Sequence, residues 1–149
     1  MRKLIYHVAA SLDGFIAHED HTVDGFLNEG DHATDYFASL KNDYDTVLMG
    51  RKTYDFGLQF GVTNPYPWLK QYVFSSRQDI TEPGITVISS DPSELVTRLK
   101  AETGKSIYLC GGAKMATELL EHHLIDEILV KINPVLFGAG IGLLTSVSS

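Results

Sequence analysis

The sequence predicts an α/β protein with a mostly parallel central sheet flanked by helices. Three observations carry that prediction. Short apolar runs alternate with segments of helical period along the 149 residues. The runs are continuously apolar, as in strands covered on both faces. Glycine, proline and asparagine mark the boundaries between them. Hydrophobic residues make up 44% of the chain and charged residues 21%, which suits a single globular domain over residues 1–149. The net charge of −7 argues against a broad nucleic-acid or anionic-membrane surface, so any anion site must be local. The lone cysteine, Cys110, cannot close an intramolecular disulfide, and the N-terminus reads unlike a signal peptide. No apolar run approaches the roughly 20 residues that span a bilayer. These features lead to the expectation of a cytoplasmic protein.

Residues 3–10 (KLIYHVAA) read as a buried strand, and LDG followed by FIA breaks into a long loop that runs to about residue 30. From Thr34, the spacing of Tyr36, Phe37, Leu40 and Tyr44 predicts a helix leading into a second strand, TVLM, which stops at Gly50. Lys52 to about Phe60 reads as a short helix. Asn64-Pro65-Tyr66-Pro67 forces an irregular turn before a third strand, QYVFS, and Pro83-Gly84 turns the chain into a fourth, ITVIS. Asp91-Pro92-Ser93-Glu94 is a helix start. Asp91 can cap, Pro92 suits the first helical position, Glu94 stands where a capping box wants an acid, and Gly104 ends the helix. A fifth strand, SIYLC, meets Gly111-Gly112, which open a helix to about His123 with Met115, Leu119 and Leu120 inward. EILVKI is the sixth strand.

Sheets of this kind bind ligands beyond the carboxyl ends of their strands, so the residues at those ends carry the functional reading. Gly50 in MGRKT and Gly111-Gly112 in CGGAKM each precede a helix, where missing Cβ atoms let backbone amides approach an anion and the helix dipole favours negative charge. Arg51 can grip a phosphate in a fork, Lys52 adds a point charge and Thr53 a hydroxyl. The third strand adds Ser75, Ser76 and Arg77. One glycine before a helix is ordinary turn chemistry, but three such ends together suggest one extended phosphate-bearing ligand. Neither the triphosphatase loop nor the G-x-G-x-x-G fingerprint is present.

MGRKTY at 49–54, YVFSSR at 72–77 and YLCGGAKMATELL at 108–120 occur in an order and at separations that resemble the dihydrofolate-reductase-like superfamily. The match is to its riboflavin-biosynthesis reductase branch, the C-terminal domain of the bifunctional deaminase/reductase, which includes stand-alone bacterial members. It extends from SLDGFIA at 11–17 to PVLFGAG at 134–140. The resemblance implies the dihydrofolate-reductase-like three-layer fold and an NADPH-dependent reductase. It implies that Gly50, Arg51, Lys52 and Thr53 hold the pyrophosphate and 2′-phosphate of NADPH, with Arg51 and Ser75, Ser76 and Arg77 selecting the 2′-phosphate. Gly111 and Gly112, with Ala113, Lys114 and Met115 behind them, sit under the pyrophosphate from the other side. Ala9 and Ile16 border the nicotinamide ring, and the loop after residue 13 closes over the site.

Hydride transfer needs a positioned acceptor and a proton source. By the same resemblance Asp35 matches the carboxylate that handles substrate, with Asp31 a competitor; either can instead cap or charge the first helical turn. Asp13 reads equally as an Asp-Gly turn. Folate is disfavoured because Leu69, beside Lys70, stands where folate enzymes carry an arginine, and because Trp68 lies outside the mobile loop. The branch implies a substrate of the 5-amino-6-(5-phosphoribosylamino)uracil type. Dihydrofolate-type reduction and a non-catalytic nucleotide-binding module are the alternatives. The deaminase zinc signature is absent. His18 and His21 are spaced H-x-x-H without supporting cysteines, so no metal site is expected, and His122 and His123 suit a helix C-terminus. Cys110, Tyr6, Phe15, Phe37 and Phe74 read as core or pocket wall. The sequence ends soon after LFGAG, where the resemblance implies a C-terminal hairpin, so either the chain is truncated or the hairpin is expected to be lacking; an open sheet edge, with the branch's habit, leads to the expectation of a homodimer.

Overall fold

The computed structural model describes residues 1–26 and 31–145, and only the backbone of residues 31–34 and 37. In chain order the elements are β1 (Leu4–Ser11), β2 (Phe15–Ala17), α1 (Asp31–Asn42), β3 (Tyr44–Gly50), α2 (Arg51–Leu58), β4 (Lys70–Phe74), β5 (Ile85–Ile88), α3 (Pro92–Ala101), β6 (Ser106–Gly111), α4 (Ala113–Glu121), β7 (Glu127–Asn133) and β8 (Ile141–Gly142). Six strands form one sheet in the order β5-β4-β3-β6-β1-β7. Every neighbouring pair in it is parallel.

Successive strand residues point to opposite faces, so each buried strand feeds two cores. Leu4, Tyr6 and Val8 of β1, Leu48 of β3 and Ile107 and Leu109 of β6 pack with Leu95, Val96 and Leu99 of α3 and Met115, Ala116 and Leu119 of α4. Ile5, Val47, Met49, Val73 and Tyr108 point the other way and pack with Leu40 of α1 and Tyr54 of α2. The result is three layers, the dihydrofolate-reductase-like α/β arrangement. Strands buried on both faces need no alternation, which is why the runs read as continuously apolar. The neighbours β3 and β6 send α2 and α4 to opposite faces, and that divergence opens a crevice at their carboxyl ends.

Two local expectations need correction. Phe15–Ala17, expected as loop, is a short strand paired antiparallel with β8, which brings the chain after PVLFGAG back over the loop that follows β1. Asp13 ties the same region together: it accepts from Ser11 Oγ at 2.6 Å and from the N–H groups of Phe137 and Gly138 at 3.1 and 2.8 Å. These bonds hold its carboxyl at about 2, with Ser11 the main cause. Asp91 caps α3 as expected, accepting from Ser93 N at 2.9 Å. Gly104 does not supply the helix end, because α3 stops at Ala101. Its role is close approach: a Cβ there would lie 2.8 Å from Asp45 Oδ2 and 2.9 Å from Arg2 Nε, crowding the ion pair between buried Arg2 and partly exposed Asp45.

Candidate functional site

The two glycine turns meet. A Cβ at Gly50 would lie 3.7 Å from Gly112 N, and one at Gly112 or Gly111 would lie 3.6 or 3.7 Å from Thr53 Oγ1. Gly111 has φ of 139°, a conformation side chains rarely adopt, and its peptide bond to Gly112 is cis. Gly50 and Gly112 are the N-caps of α2 and α4, and neither cap uses a side chain, so first-turn N–H groups of both helices are free of side-chain caps. Two helix N-termini converging on a Cβ-free gap form a cradle for anionic groups.

A groove of about 510 Å³ runs through this cradle. It is lined by Ile16, Gly50, Lys52, Thr53, Gly112, Ala113, Lys114 and Met115, all expected there, and by Phe74, His21 and Glu19. Lys52 and Lys114 are exposed and have no hydrogen-bond or ion-pair partner among the described residues. Arg51 behaves differently. Its Nε donates to Asp55 Oδ1 at 2.8 Å and its Nη1 to Asp79 Oδ1 at 2.6 Å and Ser75 Oγ at 3.3 Å. The expected grip of Arg51 on a phosphate therefore meets a fork already engaged by two carboxylates. Ser75 is buried and accepts from Arg77 N at 3.0 Å, Ser76 is exposed, and Arg77 reaches Asp55 at 3.5 Å. None of Arg51, Ser75, Ser76 and Arg77 lines the groove.

Beside the groove, and sharing Ile16, His21, Thr53 and Gly112 with it, is a second cavity of about 260 Å³. Ala9 lines it, and so does Gly111, which was expected under the pyrophosphate and does not line the groove; His7, Tyr36, Tyr108, Cys110, Phe26 and Phe56 complete much of its wall. His7 Nδ1 is 3.0 Å from Tyr44 OH, and its ring meets Tyr36 edge-on at 4.8 Å. Tyr66 OH is 3.5 Å from Tyr108 OH and 3.6 Å from Cys110 Sγ. Burial lowers the His7 pKa, so the ring is neutral near pH 7. Burial pushes Tyr36 up to about 12 and holds Tyr108 and the Cys110 thiol above their ordinary values. None of the described residues lining this cavity is a carboxylate, lysine or arginine. It is a pocket of phenols, imidazoles and a thiol.

Asp35 does not reach it. Its side chain is exposed and lines neither cavity, because Tyr36 shares a helix face with buried Leu40 four residues on, leaving Asp35 a step around the helix. The side chains of the competing Asp31 and of Phe37 lie outside the described residues, as do residues 27–30 of the expected loop and the terminal residues 146–149. Trp68 is 48% exposed and packs edge-on to Tyr66, away from both cavities. His18 stacks on Phe137 at 3.8 Å, and the described residues contain no group of three or more metal-ligating side chains. His7 was legible through strand period, since it shares a face with Ala9. Tyr36 was legible through its spacing from Leu40, although nothing in the sequence said that this face meets a cavity.

A phosphate-fitting groove that opens into a small pocket, at the strand ends of a three-layer α/β sheet, is the arrangement of a dihydrofolate-reductase-like fold. The chain belongs to the RibD C-terminal domain family, whose model matches residues 2–148. It is 33% identical to YwjB of Bacillus subtilis over 95% of this chain and 82% of that one, and 34% identical to YyaP of the same organism over 93% and 78%. Neither of those proteins is characterised. A Shewanella protein assigned by inference to riboflavin biosynthesis superposes with a TM-score of 0.82 at 27% identity, covering 99% of this chain and 85% of that one. The Thermotoga maritima deaminase/5-amino-6-(5-phosphoribosylamino)uracil reductase superposes at 0.70 with 18% identity, over 99% of this chain and 49% of that one. Dihydrofolate reductase of Enterococcus faecalis, solved with NADP(H), superposes at 0.69 with 19% identity, over 97% and 78%; these last two likenesses support the fold. Among the described residues no helix is long and apolar enough to cross a membrane.

Proposed function

We propose that the protein is an NADPH-dependent reductase whose dinucleotide lies along the groove and whose hydride acceptor enters the 260 Å³ pocket. The observation that carries this reading is the junction of the two cavities at Ile16, Thr53 and Gly112. Such a junction places the two ends of one reaction side by side. Bound NADPH supplies the hydride. The chain's own residues bind and orient: the glycine cradle and the uncommitted amines of Lys52 and Lys114 suit a pyrophosphate, and Ala9 and Ile16 suit the edge of a ring at the junction. Tyr36, whose phenol burial keeps protonated, is the proton source in place of Asp35, with the neutral His7 ring beside it.

Neutral donors suit a carbonyl or imine acceptor of the 5-amino-6-(5-phosphoribosylamino)uracil type. Lys131, whose Nζ lies 5.3 Å from the Tyr36 ring, provides a cation near the pocket for a substrate phosphate. A pocket with no carboxylate among the described residues that line it weighs against the dihydrofolate alternative, which would present a cationic ring on protonation. Titration with NADPH, with NADH as control, tests the reading: binding of neither overturns it. NADPH consumption with phosphoribosylamino-pyrimidines and with dihydrofolate then tests substrate class, and binding without turnover of either favours the nucleotide-binding module. A homodimer is part of the proposal. β7 is an edge strand that exposes Ile128 and Ile132 on one face and Leu129 on the other, an arrangement a second copy would cover. Sedimentation as a monomer at micromolar concentration would refute it.

A further inference from the structure

We propose that Asp79 is a specificity-determining residue: it occupies the Arg51 fork in place of a phosphate, and so reduces the preference for NADPH over NADH. The inference rests on the dinucleotide reading of the groove and goes beyond it. Arg51 is the first residue of α2, directly after Gly50 of the cradle, and its side chain is 17% exposed. Its two carboxylate partners differ in kind. Asp55 lies one helical turn along α2, so its bond to Nε is a local feature of that helix. Asp79 comes from the segment after β4, 28 residues away, and takes Nη1 at 2.6 Å with its own side chain 55% exposed. Arg77 adds a second cation, within 3.5 Å of Asp55 and 4.0 Å of Asp79. Two arginines and two aspartates leave this corner with no net charge. By contrast Lys52 and Lys114 face the groove and make no ion pair among the described residues.

A carboxylate and a phosphate compete for the same guanidinium donors, because both present paired oxygens at the spacing of the fork. A nucleotide whose adenosine ribose carries a further phosphate that takes Arg51 Nη1 must therefore displace Asp79, and then sits near the unpaired carboxylate. NADH, which lacks that phosphate, pays neither cost. Asp55 and Ser75 hold the guanidinium in orientation throughout, so removal of the Asp79 charge leaves one aimed Nη1 N–H as a vacant donor.

Calorimetric titration of NADPH and NADH tests this on the full chain. Asp79→Asn preserves volume on an exposed side chain and should tighten NADPH binding about tenfold, the equivalent of one charge-assisted hydrogen bond gained. NADH affinity should stay within about twofold, as for any distant surface charge. The gain should vanish when Arg51→Ala is added, since the vacant donor is then gone. An unchanged NADPH-to-NADH ratio in Asp79→Asn, or a gain that persists without Arg51, would overturn the inference while leaving the reductase reading intact. Failure of both nucleotides to bind the wild-type chain would overturn the two together.

Discussion

Replacing Lys52 and Lys114 by alanine, singly and together, should weaken NADPH and NADH binding by the same factor. Both amines line the groove, both are exposed, and neither is spent on an ion pair among the described residues. At a separation of about 5 Å in bulk water, one lysine attracts a unit charge by about 0.8 kcal/mol, and the doubly charged pyrophosphate by about 1.6 kcal/mol. Screening at physiological salt removes part of this and leaves about 1 kcal/mol per lysine, or about fivefold in Kd. If the two sites act independently, the double variant loses about 25-fold. The pyrophosphate is common to both nucleotides, so the loss should not distinguish them. It should also shrink as salt rises, which separates a charge effect from a packing effect. Titrations at low and at physiological ionic strength provide the measurement. A double variant that binds both nucleotides like the wild type at low salt would refute the assignment, as would a loss confined to NADPH.

With an accepted substrate in hand, Tyr36→Phe should lower turnover about tenfold or more through loss of a pocket hydroxyl, while Asp35→Asn should leave it within about twofold; steady-state NADPH consumption decides between them. The Asp13 carboxyl, held at about 2 against an ordinary 3.8, contributes stability that is fully present above 3.8 and is lost as pH falls towards 2. Hydrogen-exchange protection of the Phe137 and Gly138 amides should therefore drop across that window, and should be low at neutral pH already in Asp13→Ala; protection independent of pH would count against the anchor. Lys100, 7% exposed, donates to Leu124 O at 2.8 Å and to Asp126 at 2.6 Å. Lys100→Met should cost about 2 kcal/mol, less than a fully buried pair because Asp126 is partly solvated, and urea denaturation reads the shift in midpoint.

The fold was legible because its signals are local. Continuous apolar runs, the Asp91-Pro92 start of α3 and the glycines closing β3 and β6 each record a constraint that acts within a few residues. The β2 ladder was not legible, because Phe15–Ala17 is a strand only through β8, over 120 residues later, and neither segment is long enough to show a period. The cradle was legible for the same reason as the strands: Gly50, Thr53, Gly111 and Gly112 each sit at a strand-to-helix turn. That the two turns face each other depends on β3 and β6 being neighbours, which alternation along the chain does not reveal.

Catalytic and specificity residues are harder to read, since their chemistry depends on partners. Asp35 attracts attention as an acid, yet helix period turns it to solvent and turns its neighbour Tyr36 to the pocket. Arg51 attracts attention as a cation, yet half of what limits it was visible: Asp55 stands four residues on, at the spacing that pairs charges on one helix face. A basic residue beside a glycine turn should therefore be weighed against acids at three or four residues before it is assigned to a phosphate. The other half, Asp79, reaches the same guanidinium across the end of the sheet. Lys52, adjacent to Arg51 on α2, has no such partner among the described residues and faces the groove. Two neighbouring cations thus do different work. On the proposed dinucleotide reading, Lys52 would serve the phosphates that NADH and NADPH share, whereas a grip of Arg51 on the phosphate that separates them would depend on what Asp79 releases.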